Sequence, residues 1–230
     1  PYAAERIDFD PAHRIVYYES SRGCPFKCAY CLSSLDARVR YYPLERVLGE
    51  LVYFMDRGFP LVKFVDRTFN LDPERFLRIW EFIRDRHNGK TLFHFEIAAE
   101  YLPDAAYSVL AGMPEGAVQF EIGIQSINEK TLQKVGRPAH PGVLAERIAR
   151  IPKHIHTHVD LIAGLPEEDL ASFARSFDFA FALGADMLQL GFLKVLPGSP
   201  MERIAREAEG YRWSDSPPYE VLSSPVMQYG

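Results

Sequence analysis

Six strand-like runs alternate with stretches of helical periodicity along this chain, and no other feature restricts its fold as tightly. "RIVYYES" at 14–20 is followed by "PLERVLGELVYFMDRG", where Leu44, Val47, Leu48, Leu51 and Phe54 recur at helical spacing between Pro43 and Gly58. "LVKFV" at 61–65 precedes "DPERFLRIWEFIRDRH", which opens on an Asp72 cap and a first-turn Pro73. "TLFHFEIA" leads to "PDAAYSVLAG", and "AVQFEIGIQS" leads to "NEKTLQKV" and "GVLAERIARI", which read as a broken or paired helix. "HTHVDLIAGLP" precedes "EEDLASFARSFDFAFALG", and "DMLQLGFLKVLPGS" precedes "PMERIAREAEG". Successive βα units of this length predict a parallel sheet with right-handed crossovers. Six units fall short of the eight that close a complete barrel, so the expected fold is α/β, an open, partial (β/α)6 TIM-like barrel.

In such a fold the C-terminal ends of the strands share one face, and sites form there. The residues at those ends are chemically unusual. Cys24, Cys28 and Cys31 follow the first strand, and Asp66, Arg67 and Asn70 of "DRTFN" follow the second. Glu96 and Glu100 lie around the end of the third, Gln125 and Ser126 follow the fourth, Asp160 lies in the fifth before "GLP", and Lys194 ends the sixth. His154, His156 and His158 of "HIHTH" alternate onto one strand face near its N-terminal half, away from that end, and read as structural or surface histidines.

The three cysteines fall within eight positions of "SSRGCPFKCAYCLSS", and the chain has no others. An odd count in so tight a cluster makes a poor disulfide framework. In a reducing cytoplasm, clustered thiols ligate metal. Zinc takes four ligands, yet the nearest histidine is His13, ahead of the first strand. Three thiolates suit a [4Fe–4S] cluster better, since its fourth iron is open to an outside ligand. Tyr30, just before the last thiolate, offers that ligand an aromatic or backbone contact. The net charge of -5 argues against nucleic acid and anionic membranes as partners, and no apolar run is long enough to cross a bilayer. The Pro1 start, without a signal peptide, and the Pro/Ser-rich end read as cuts in a longer protein. Expected divisions are a lead-in at 1–13, a core at 14–210, and the start of a C-terminal extension at 211–230.

C-x3-C-x2-C with an aromatic before its final Cys, directly after the first strand of a partial barrel, resembles the radical S-adenosylmethionine (SAM) superfamily. "FEIGIQSINEKTLQKVGR" and "VDLIAGLPEEDLASF" resemble fourth- and fifth-strand segments of its coproporphyrinogen-dehydrogenase-like and tRNA-methylthiotransferase-like branches. Together with "LFHFEIAAEYL" and "LQLGFLKVLPGSPM", they are most similar to a bacterial group with a cobalamin-binding domain before the core and a further domain after it.

The resemblance implies that Cys24, Cys28 and Cys31 each ligate one iron and that SAM chelates the fourth. One electron, from a donor such as flavodoxin or ferredoxin, then cleaves SAM to methionine and a 5′-deoxyadenosyl radical. It implies Arg137 at the SAM carboxylate, Asp160 at the ribose and Gln125 at the methionine or ribose portion. Glu96, with Glu100 as its alternative, would meet the amine or ribose. Many members carry Gly-Gly-Glu after the second strand where this chain has "FVDRTFN", so the amine passes to Asp66, with Arg67 and Asn70 toward substrate or cobalamin. The implied substrate is a small molecule of unknown identity, with methyl transfer, cyclisation and rearrangement all open. The rivals are a cobalamin-independent enzyme of the same superfamily and a non-catalytic, zinc-bearing binding domain.

Overall fold

The computed structural model describes residues 11–137 and 139–228. Most of the expected lead-in, residues 1–10, lies outside the described residues, as do residues 138, 229 and 230. Six strands form one sheet: β1 (Ile15–Tyr18), β2 (Leu61–Phe64), β3 (Leu92–Ile97), β4 (Val118–Gln125), β5 (His156–Ala163) and β6 (Met187–Phe192). Their order in the sheet is their order in the chain, as consecutive βα units require. The pairings of β1 with β2, β2 with β3, β3 with β4 and β5 with β6 are all parallel. The helices fall where the sequence period places them: α1 (Leu44–Asp56), α2 (Pro73–Arg86), α3 (Asp104–Ala111), α4 (Glu129–Lys134), α5 (Pro141–Ala149), α6 (Leu170–Ala182) and α7 (Pro200–Glu207). The segment after β4 is thus a pair of helices. Asp72 caps α2 by accepting from the Arg75 amide, ahead of the first-turn Pro73. Among the described residues no helix is long and apolar enough to cross a membrane.

By packing, the chain divides into two compact units. The first holds residues up to 22, 40–122 and 146–157. Its core is aromatic. Phe64 and Phe69 lie 4.5 and 4.3 Å from Phe95, and Trp80 stacks on Phe120 at 5.0 Å. All of these rings are buried, and Trp80 and Phe95 are fully so. Rings tilted or offset against each other contribute beyond the area they remove from water. Ser21–Arg22 pairs antiparallel with Arg40–Tyr41, so a small hairpin sits at the base of the cysteine loop.

The second unit holds 23–39, 123–145 and the residues from 158 onward. Its core gathers Ala29, Val135, Leu165, Leu193, Val195, Met201, Ala205, Tyr211 and Val221. Ala29 belongs to the cysteine loop, which is therefore built into packed interior. Tyr211 and Val221, from the stretch expected to begin an extension, pack in this same core.

Candidate functional site

The cysteine loop is held by main-chain bonds on both sides of its central thiol. The Ala29 amide donates to the Val135 carbonyl at 2.8 Å, and the Ala29 carbonyl accepts from the Met201 amide at 2.9 Å. The Cys24 amide donates to the Asp36 carbonyl at 3.1 Å, and the Cys31 amide to the Cys28 carbonyl at 3.0 Å. Two glycines permit this seating. Gly23 has φ +97°, and a Cβ there would overlap the Arg38 carbonyl oxygen. Gly136 has φ +67°, and a Cβ there would lie 2.9 Å from the Lys27 carbonyl oxygen.

Cys24 and Cys28 are buried and Cys31 is half-buried, and none of the three is in a disulfide. Tyr30 is half-buried, and its hydroxyl is buried beside the Cys28 sulfur. Burial pushes the phenol up, the Arg137 guanidinium opposes that, and the Cys28 and Cys31 sulfurs push in the same direction as burial. Among the described residues no three His, Cys, Asp or Glu side chains group so as to hold a single metal ion. A mononuclear zinc site needs thiolates converging on one point, whereas an iron–sulfur cube takes one thiolate per iron. Three soft donors on one anchored loop, beside a buried polar hydroxyl, fit the cluster.

In the same unit, β4 ends on a second cradle. Gly123 leaves its strand face open, and the Gln125 amide nitrogen occupies the place that a Cβ would take. The Arg137 guanidinium donates to the Gly123 carbonyl, and its Nη2 lies 3.6 Å from that Cβ position. Gln125 and Arg137 are thereby brought side by side, as two residues expected on one ligand. Gln125 itself adopts φ +69°, a left-handed conformation that is unusual for a residue with a side chain. Asp160 is half-buried, and its Oδ1 lies 3.2 Å from His158 Nε2. His158 is thus the neighbour of that carboxylate, a placement the sequence reading did not assign to it. His154 precedes the strand, so only His156 and His158 share its face.

The first unit holds the remaining expected residues, and among its acids Asp66 departs from expectation. Asp66 is 1% exposed, and its carboxylate accepts from the Ser20 amide at 2.9 Å, Ser20 Oγ at 2.7 Å and Ser21 Oγ at 2.5 Å. Both oxygens tie the end of β1 to the end of β2, which commits the side chain to the fold rather than to a ligand amine. Asn70 is likewise buried, and its amide pairs with both main-chain groups of Ala98 at 2.8 and 2.9 Å. The expectation that Asn70 faces substrate is therefore corrected: both of its polar atoms serve the backbone. Arg67 is exposed. Glu96 is half-buried, and desolvation and then the nearby Glu121 carboxylate push its carboxyl up. Glu100 lies in the turn Ala99–Tyr101 with one oxygen buried and unpartnered.

Sequence reasoning missed a polar network on one face of β2, β3 and β4. Glu121 Oε2 accepts from Lys63 Nζ at 3.1 Å and from His94 Nε2 at 2.9 Å, while His94 Nδ1 lies 2.8 Å from the Gln119 amide. The signal was the alternation in "VQFEIGIQ", which puts Gln119, Glu121, Gly123 and Gln125 on one face. The His94 and Lys63 donors hold the Glu121 carboxyl down at about 2. A carboxyl lowered on folding stabilises the protein above its ordinary range and loses that stabilisation as pH falls toward the folded value. Urea midpoints of the wild-type chain are therefore expected to fall more steeply between about pH 5 and pH 2 than those of Glu121→Gln. Equal slopes would show that the network does not shift this group.

Comparison with known proteins follows the same lines. An uncharacterized methyltransferase of Pyrococcus horikoshii is 28% identical over 191 residues, 81% of this chain and 41% of its own length. The 2-(S-pantetheinyl)-carbapenam-3-carboxylate methyltransferase of Streptantibioticus cattleyicolor is 24% identical over 202 residues, 82% of this chain and 29% of its own. Among solved structures, the radical S-adenosylmethionine methyltransferase TsrM from Kitasatospora setae, with tryptophan and a SAM analogue bound, superposes with a TM-score of 0.76. Its identity is 18%, covering 90% of this chain and 42% of that one. The chain thus spans well under half the length of each. Residues 18–180 match the Radical SAM superfamily, and with the three-cysteine loop, the sequential parallel sheet and a match over more than half of its length, the chain belongs to that superfamily of enzymes.

Proposed function

We propose that this chain is the radical core of a methyl-transferring enzyme, one that holds a [4Fe–4S] cluster through Cys24, Cys28 and Cys31 and SAM beside it. The observation that carries the reading is the anchored thiol loop in one packed unit with Tyr30, Gln125, Arg137 and Asp160. When bound, the cluster supplies the electron that cleaves SAM to methionine and a 5′-deoxyadenosyl radical. The chain's own residues bind and orient. Arg137, fixed by the Gly123 carbonyl, presents a planar fork suited to a carboxylate, and the Gln125 amide beside it both donates and accepts. Asp160, half-buried beside His158, suits a ribose diol.

Methyl transfer as the outcome is supported by the functions named for the relatives in Pyrococcus, Streptantibioticus and Kitasatospora. Cobalamin is supported by TsrM, which has been solved with cobalamin and a [4Fe–4S] cluster. It would be held mainly by residues outside this chain, within a longer protein that includes the core at 14–210. A small electron-transfer protein, flavodoxin or ferredoxin, would reduce the cluster in a reducing cytoplasm. The test is anaerobic reconstitution with iron and sulfide, then dithionite and SAM. A broad absorbance near ~400 nm and release of 5′-deoxyadenosine are expected. Tight, colourless zinc with SAM left intact would overturn the reading.

A further inference from the structure

One buried acid in the cysteine-bearing unit has no part in the chemistry above. Glu168 is 0% exposed. Its Oε1 accepts from Ser126 Oγ at 2.5 Å and from Ser176 Oγ at 3.1 Å, while Oε2 is buried without a hydrogen-bond partner. The two serines are occupied in turn: Ser126 Oγ accepts from the Asn128 amide at 2.9 Å, and Ser176 Oγ from the Ile127 amide at 3.1 Å. Desolvation pushes the Glu168 carboxyl up, and its hydroxyl contacts only partly offset that. A fully buried carboxyl that meets only hydroxyls is costly to keep unless it holds something in place.

What it holds is visible in the backbone. Gln125 at φ +69° and Glu167 at φ +64° are two of the three left-handed residues other than glycine among those described. Gln125 adjoins Ser126 and Glu167 adjoins Glu168, so each strained corner lies one residue from the Glu168–Ser126 bond. The Asn128 side-chain amide adds a second tie, donating to the Glu167 carbonyl at 2.9 Å. Asn128 also caps α4. The far end of α4 carries Val135, which accepts from Ala29 of the cysteine loop, and then Gly136 and Arg137. Strained backbone persists only where its surroundings over-determine it.

We infer that Glu168 is a positioning residue: through Ser126 and Ser176 it clamps the corners that end β4 and β5, and so sets Gln125 and Arg137 for SAM. The inference rests on the reading that those two residues bind SAM. Glu168→Gln keeps the acceptor for both serines, whereas Glu168→Ala removes it and Ser126→Ala removes one arm. With iron–sulfur-reconstituted protein and labelled SAM in equilibrium dialysis, Glu168→Ala is expected to weaken binding about tenfold, and Ser126→Ala severalfold. Glu168→Gln is expected to stay within about threefold of wild type. Amide exchange at residues 125–128, measured without SAM, should quicken in the Ala variants and not in Glu168→Gln.

Wild-type affinity in a folded Glu168→Ala or Ser126→Ala variant, while Gln125→Ala and Arg137→Gln weaken SAM, would overturn the clamp and leave the site assignment standing. Unchanged affinity in Gln125→Ala and Arg137→Gln would overturn the assignment and the clamp with it. If Glu168→Ala fails to fold, Ser126→Ala and Glu168→Gln decide the matter between them.

Discussion

Cys28→Ala is expected to give a folded chain that retains no cluster. Cys28 is buried one residue before Ala29, whose amide and carbonyl are bonded to Val135 and Met201. The main chain therefore stays in place when the thiol is removed, and stability should fall by only about 1 kcal/mol. Two thiolates cannot hold a cube that depends on three. After anaerobic reconstitution and gel filtration, iron should drop from about four per chain to nearly none. Release of 5′-deoxyadenosine should fall by roughly three orders of magnitude or more, since the electron has no route to SAM. Far-UV circular dichroism should not change. Full iron content in the variant would show that Cys28 is not a ligand.

Gly23→Ala should produce the second largest effect, with every thiol still present. A left-handed φ of +97° is strained for alanine, and the methyl would overlap the Arg38 carbonyl oxygen, with the Asp36 carbonyl oxygen 3.1 Å away. These neighbours are backbone and cannot rotate aside. Strain and overpacking together cost about 3 kcal/mol, which for a chain of this size is a melting temperature lower by about 6–12 °C. Local opening of the cysteine loop relieves part of that cost, so iron retention during dialysis should fall more than helicity does. Gly49→Ala is the matched control. It lies in α1 with open space around the added methyl and should leave melting and iron retention unchanged or slightly improved. Equal iron loss in both variants would remove the steric argument.

The βα order was legible because period and punctuation are local properties. A run such as "LVKFV" and a cap such as Asp72-Pro73 need no knowledge of distant residues. The thiol loop was legible for the same reason, since its chemistry lies within eight positions. Asp66 and Asn70 were not. Residue type shows that each is polar, while burial against Ser20, Ser21 and Ala98 depends on chain 28 to 46 residues away. Glu168 was out of reach in the same way, because Ser126 is 42 residues earlier and nothing in "GLPEED" says which of its acids turns inward. His94 and Glu121 sit between these cases. Their strand faces follow from period-2 alternation, but their meeting depends on the register of β3 against β4.

The two main-chain bonds at Ala29 bear on the order in which the enzyme is assembled. They join protein to protein, so part of the seat for the thiols is set by the fold itself. A zinc finger gains its fold from its metal; a loop bonded in this way would instead receive its cluster on a scaffold already folded. Protein made in iron-starved cells should accordingly be well folded and competent to be loaded afterwards, and the limit on active enzyme becomes the supply of clusters rather than the yield of folded chain.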